Sequence, residues 1–275
     1  PIPRRPGPFI HPRPALDDML TFVGLGLYDE RSITVEGREA VAAADRVFAE
    51  FYTSRLVGTT VDHLETTHDV DIVVRDREGV EQRPEPILEA AADGHAVFLT
   101  AGDPMVSTTH VDLRLRAQER DVDTRIVHGT SASTAAAGLT GLQNYRFGKA
   151  TTLPFPGTHG GDDVPRSVLD TIRENRGRGL HTLVYLDIEA EREAFMTADE
   201  AAGLLAGPLD DALAVAVVRA GSESPVVAAD RLSALADRDF GDPLHLLVVP
   251  GELHHLEAEA LRAFGGASGE LTSVD

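Results

Sequence analysis

From Met19 onward the chain alternates short apolar runs with segments whose apolar positions recur every three or four residues. Runs of four to six apolar residues bounded by glycine or polar turns read as buried strands, and the longer periodic segments as helices. The pattern predicts strands over 19–23, 46–51, 72–74, 96–100 and 124–127. Between and after them it predicts helices over 33–44, 61–67, 86–92, 107–120 and 131–139, the last opened by a Ser/Thr cluster. Strands that alternate with helices imply an α/β unit built on a largely parallel sheet.

The rhythm changes near Gly148. A strand over 150–153 leads into a Pro/Gly-rich loop over 154–165, then a helix running to about residue 175 and a strand over 182–187. Thr197 and Glu200 have the spacing of a capping box, which opens a helix over 197–205. Three more strands follow, over 212–219, 226–229 and 244–249. The short link 221–225 suits antiparallel pairing, because parallel strands need a long crossover. The chain therefore reads as two α/β domains, 19–147 and 148–275, the first sheet mostly parallel and the second mixed or antiparallel.

Residues 1–18 stand apart from this pattern. Six prolines in the first fourteen positions forbid a helix or a central strand, and no apolar core of a signal peptide is present. This segment is expected to be a flexible extension, with Met19 as the natural start.

Composition narrows the function. No apolar run reaches the ~20 residues of a membrane span, and the chain has no cysteine, which excludes disulfides, thiolate metal sites and a cysteine nucleophile. The formal net charge is −20 and Lys149 is the only lysine. A surface so acidic repels nucleic acid. It suits a protein kept soluble in high salt, so a salt-loving source is expected.

Candidate chemistry gathers at strand ends. Gly24-Leu25-Gly26-Leu27 follows the first strand, where a glycine pair lets a ligand approach the backbone. It is not the dinucleotide fingerprint, since Asp29 stands where the third glycine belongs. Gly102-Asp103-Pro104 follows the apolar strand 96–100 and sets a carboxylate where open α/β sheets bind ligands. Gly129 to Thr134 offers hydroxyls and backbone N–H groups after the strand 124–127, and serves equally as a helix N-cap. Gly241-Asp242-Pro243-Leu244-His245 enters the last strand, where a histidine amid apolar residues is ordinarily a satisfied core group. The pair His254-His255 resembles metal ligands, but neighbouring side chains are expected to point apart, so no metal site is expected. Neither a Gly-x-Ser-x-Gly elbow nor His-Glu-x-x-His is present. Ligand-shaped strand ends without an evident acid–base or nucleophile set suit group transfer in which a cofactor supplies the chemistry.

Several segments resemble the diphthine synthase family. They are Met19 to Glu30, Phe48 to Ser54, Leu99 to Pro104, Gly141-Leu142 with Phe147-Gly148-Lys149, His181 to Ile188, Met196 to Ala198, Arg219 to Ser222 and Phe240 to Pro243. The resemblance runs from Met19 to about Ala260 in the family's order and spacing, and Phe48 to Ser54 separates it from other tetrapyrrole-methylase-like enzymes. It implies the two-domain class III methyltransferase fold, with S-adenosyl-L-methionine in the cleft between the domains, in a cytoplasmic homodimer. The cofactor contacts it implies are Leu27, Asp103, Val106, Ser131 and Ala132 from the first domain and Leu186, Ala220 and His245 from the second. The acceptor it implies is the amino group of a 3-amino-3-carboxypropyl-histidine on elongation factor 2, trimethylated to diphthine. No catalytic residue is assigned. Two other readings stand beside this one: a corrin-precursor methylase of the same fold, which an acidic chain suits poorly, and a non-catalytic cofactor-binding regulator of translation.

Overall fold

The structure is a computed structural model that describes residues 18–158, 163–189 and 192–273. The expected extension lies outside these residues, apart from Asp18. Strands β1 (Met19–Gly24), β2 (Arg46–Glu50), β3 (Ile72–Val74), β4 (His95–Thr100) and β5 (Asp123–Val127) form a five-stranded sheet in the order β3-β2-β4-β1-β5, parallel throughout. Helices α1 (Val35–Ala42), α2 (Val61–His68), α3 (Arg77–Glu81), α4 (Glu85–Ala92) and α5 (Val111–Gln118) connect them, and α6 (Ala132–Thr140) follows β5. Every residue of β1 and of β4 is buried, as expected of parallel strands covered on both faces. One face packs Val23, Val47, Val97 and Leu99 under α1 and α2, and the other packs Phe22, Phe48 and Phe98 under α4 and α5.

The second sheet is mixed. Strands β6 (Thr151–Leu153), β7 (Thr182–Leu186), β10 (Leu213–Val218), β11 (Val226–Arg231) and β12 (His245–Val249) take the order β11-β10-β12-β7-β6. Only the β6–β7 pair is parallel. A small hairpin, β8 (Ile188–Glu189) with β9 (Ala194–Phe195), leaves the end of β7. Helices α7 (Arg166–Gly177), α8 (Ala198–Ala206), α9 (Leu232–Ala236) and α10 (His255–Gly265) cover the sheet. The strands divide five and seven around residue 147, but α6 sends Ala136 into the apolar cluster of the second sheet, beside Val215, Val217 and Leu261.

Local chemistry explains most boundaries. Thr34, Thr60 and Asp76 each turn a side-chain oxygen to an orphan N–H at the start of α1, α2 and α3. The capping box at Thr197 and Glu200 is formed on both sides. One predicted boundary is corrected. The helix expected from residue 107 begins at Val111 instead. Ser107 adopts φ +57°, and the Thr108 hydroxyl donates to the Pro104 carbonyl at 2.7 Å. Short hydroxyl side chains that bond their own backbone hold this stretch in a loop.

Candidate functional site

In the first sheet β1 and β4 are neighbours, yet the chain leaves β1 toward β2 on one side and leaves β4 toward β5 on the other. A crevice opens where connections diverge, at the carboxyl ends of these strands. Three glycines make that crevice. A Cβ on Gly24 would stand 2.5 Å from the Gly129 nitrogen and 2.6 Å from the Gly102 carbonyl oxygen. Only glycine lets the ends of β1, β4 and β5 approach so closely. Gly26 and Gly102, at φ +73° and +77°, exchange two backbone hydrogen bonds of 3.1 and 2.7 Å.

The second sheet closes over this crevice. Gly221, at φ +93°, lies against Leu27 so tightly that a Cβ there would be 2.6 Å from the Leu27 side chain. The Ser107 hydroxyl donates to the Tyr185 hydroxyl at 3.0 Å, and Arg31 pairs with Glu223 at 2.9 Å on the rim. Between the two sheets lies a cavity of about 340 Å³. All eight positions singled out in the sequence line it: Leu27, Asp103, Val106, Ser131 and Ala132 from one side, Leu186, Ala220 and His245 from the other.

Their detailed roles differ from a simple list of contacts. Asp103 is 6% exposed. Its Oδ1 accepts the Met105 N–H at 2.9 Å, and its Oδ2 accepts from His128 Nδ1 at 2.7 Å and from the Gly129 N–H at 3.3 Å. Its first task is therefore to tie the β4 loop to the β5 loop, with one Oδ1 lone pair left over. Ser131 caps α6 by accepting the Thr134 N–H, as the N-cap reading of that cluster expects, and meets the Ser133 hydroxyl at 2.8 Å. His245 is buried. Its Nδ1 accepts the N–H of Ala198 at the start of α8, and its Nε2 donates to the Asp242 carbonyl. Burial pulls its pKa below the ordinary histidine range, so the ring is neutral and both nitrogens are taken. It offers the cavity a ring edge and backbone, as a satisfied core histidine does.

The cavity also holds residues that strand-end reasoning did not reach, among them Tyr52, Arg55, Arg77, Glu81, Asp187 and Arg219. The Arg77 guanidinium lies over the Tyr52 ring at 5.0 Å, and the Tyr52 hydroxyl is buried without a protein partner. Burial first, then the nearby Glu50 and Glu81 charges, raise the Tyr52 pKa. That phenol is a neutral donor on a residue of the cavity wall, with no acceptor from the protein. The family segment Phe48 to Ser54 contained this signal, but α3, which carries Arg77 and Glu81, has a single buried apolar side chain, Val80, and left no periodicity to read.

His254 and His255 do not point apart as expected. Their rings lie 4.0 Å apart, because His254 is the extended N-cap of α10 rather than a helical residue. His254 and Glu257 form a reciprocal capping box there. No group of three or more metal-ligating side chains occurs among the described residues, and none of their helices is long and apolar enough to cross a membrane.

Residues 19–236 match the family described as Tetrapyrrole (Corrin/Porphyrin) Methylases. The chain is 71% identical to the diphthine synthase of Halorubrum lacusprofundi, over 92% of this chain and 99% of that protein. It is 49% identical to the diphthine synthase of Methanosarcina acetivorans, over 92% and 98%. A solved structure described as a crystal structure of diphthine synthase superimposes with a TM-score of 0.86 at 41% identity, covering 92% of this chain and 98% of that one. The paired sheets and the cleft between them are thus those of a methyltransferase of the tetrapyrrole methylase class. Within that class the chain belongs to the diphthine synthase family, and its chemistry is methyl transfer in diphthamide biosynthesis. Relatives at 64–71% identity come from halophilic archaea, in keeping with the acidic, lysine-poor composition.

Proposed function

We propose that this methyltransferase binds S-adenosyl-L-methionine in the cleft between its sheets. There it trimethylates the amino group of the 3-amino-3-carboxypropyl-histidine of elongation factor 2 to give diphthine. The observation that carries the reading is the convergence of Leu27, Asp103, Val106, Ser131, Ala132, Leu186, Ala220 and His245 on one cavity. The cavity suits a cofactor with an apolar body and polar ends. Leu27, Val106, Leu186 and Ala220 supply apolar wall, the glycine-walled loops supply bare backbone, and the unpartnered Tyr52 hydroxyl supplies a buried polar atom.

When bound, the cofactor supplies an electrophilic methyl group on a sulfonium. The chain's own part is alignment. Loops locked by Gly24, Gly102 and Gly129 fix one wall, and the contact of Gly221 on Leu27 fixes the other. Catalysis then rests on proximity and in-line geometry, with the substrate amine required to be neutral. The enzyme is proposed to work as a cytoplasmic homodimer.

The test is incubation with labelled S-adenosylmethionine and elongation factor 2 carrying the aminocarboxypropyl-histidine, in high salt, followed by mass spectrometry. The expected product carries three added methyl groups on that histidine. Cofactor binding without any transfer would refute the assigned acceptor.

A further inference from the structure

Behind the cleft wall lies a pair of titratable groups that the transfer reaction does not touch. Glu50, the last residue of β2, is fully buried, and His110, just before α5, is 1% exposed. Oε2 of Glu50 accepts the backbone N–H groups of Tyr52 and Thr53 at 3.0 and 2.9 Å. It thereby shapes the loop that presents Tyr52, Thr53 and Ser54 to the cavity. Nδ1 of His110 lies 2.9 Å from the Pro104 carbonyl oxygen. A carbonyl only accepts, so Nδ1 carries a hydrogen and the neutral ring turns a lone pair outward at Nε2. That Nε2 faces Oε1 of Glu50 at 3.5 Å, and neither atom has another hydrogen-bond partner.

Two buried acceptors facing each other repel, and burying either unpaired is costly. One proton placed between them removes both penalties, whichever atom it resides on. We propose that Glu50 and His110 hold a single proton between them. On the reading of the cleft given above, that shared proton latches the Tyr52–Ser54 loop to the Asp103–Thr109 loop, making both residues positioning residues for ligand binding.

The surroundings favour one proton rather than none or two. Tyr52 on the adjoining loop and Arg77 and Glu81 on α3 are the charged or titratable groups that bear on the pair. From β4 the Phe98 ring packs edge-on to His110 at 5.1 Å, an apolar wall that opposes charge. Burial, partly offset by the Thr53 and Tyr52 N–H groups, pushes the Glu50 carboxyl up to about 7. Burial likewise draws His110 below the ordinary histidine range.

The experiment uses the full chain and Glu50→Gln, in which the amide oxygen still accepts from Tyr52 and Thr53 while the amide nitrogen donates permanently to Nε2. The first readout is the 15N shift of the His110 ring between pH 5.5 and 9. The wild-type Nε2 resonance is expected to move as the proton leaves, and that of Glu50→Gln to stay within the range of an accepted hydrogen bond above pH 7. The second is calorimetric affinity for S-adenosylmethionine. A weakening of at least fivefold from pH 6.5 to 9 is expected in wild type and less than twofold in Glu50→Gln. A wild-type Nε2 resonance that does not move overturns the shared proton. Identical pH profiles of affinity in the two proteins overturn the positioning role. Wild-type protein that binds no cofactor at any pH overturns the reading of the cleft and the positioning role with it, while the ring titration still decides the proton.

Discussion

Among the described residues two histidine–glutamate pairs are buried, one under each sheet, and they have opposite characters. In the second sheet's pair, His181 Nε2 donates to Glu257 Oε1 at 3.0 Å and Nδ1 accepts the Gly251 N–H. Glu257 also accepts the N–H groups of Gln143 and His254, and Arg146 stands 3.4 Å away. Burial alone would raise the Glu257 pKa, but these donors outweigh it and hold the carboxyl below the usual range. Glu50 has two N–H donors on one oxygen and an acceptor opposite the other, so burial wins and its carboxyl rises to about 7. The same two residue types thus make a satisfied joint at the end of β7 away from the cleft and a proton-dependent one beside it. Glu257 has more donors and is less deeply desolvated than Glu50, and both differences act in the same direction.

Breaking the satisfied joint carries the largest expected effect. Glu257→Ala leaves His181, Arg146 and two backbone N–H groups without their acceptor, and denaturant unfolding should show a loss of about 3–5 kcal/mol. A loss under ~1 kcal/mol would show that water replaces the carboxylate at little cost.

The proton-dependent joint predicts the opposite sign. A folded-state pKa raised above the unfolded one gives stability that is complete below the unfolded value and lost as pH rises through the folded value. For Glu50 the window runs from 4.5 to about 7. Glu50→Gln, which cannot ionise, should therefore gain on wild type across that window, by up to about 3 kcal/mol at pH 8. A stability difference independent of pH would contradict the account.

Asp103 sharpens the contrast at the cleft itself, since its bonds to Met105, His128 and Gly129 serve loop shape. Asp103→Ala should weaken cofactor binding by about 1–3 kcal/mol in calorimetry. Unchanged affinity would mean that the glycine contacts alone hold the loop. The smallest effect belongs to the outer cap of α10. Replacing His254 and His255 by alanine should cost ~1 kcal/mol of stability and leave methyl transfer intact. Loss of transfer would give these rings a role that their capping geometry does not.

The near wall of the cleft was legible in the chain because backbone constraints leave marks. Gly24, Gly26, Gly102 and Gly129 are required by close approach or positive φ, and each follows an apolar run whose end is easy to find. The capping box at Thr197 and the short link after β10 were legible for the same reason: both are local. The residues that reach the cleft on short elements were not. Arg77 and Glu81 reach the cleft on α3, whose five residues bury only Gly79 and Val80, and Phe195 arrives on a hairpin with strands of two residues. Such elements exist because tertiary contacts hold them, so neither periodicity nor propensity announces them. Glu50 is legible only as part of the family segment, since nothing in the sequence says that an acid at a strand's end turns inward to face a histidine sixty residues later.

On this reading one cleft, walled by both sheets, is the methyl-transfer site. A crystal structure of the protein with S-adenosylhomocysteine, the demethylated product of the proposed cofactor, tests it most directly. Ligand density is expected between the Gly26 and Gly102 loops on one side and Leu186, Ala220 and His245 on the other. Density elsewhere, with this cleft filled only by water, would contradict it.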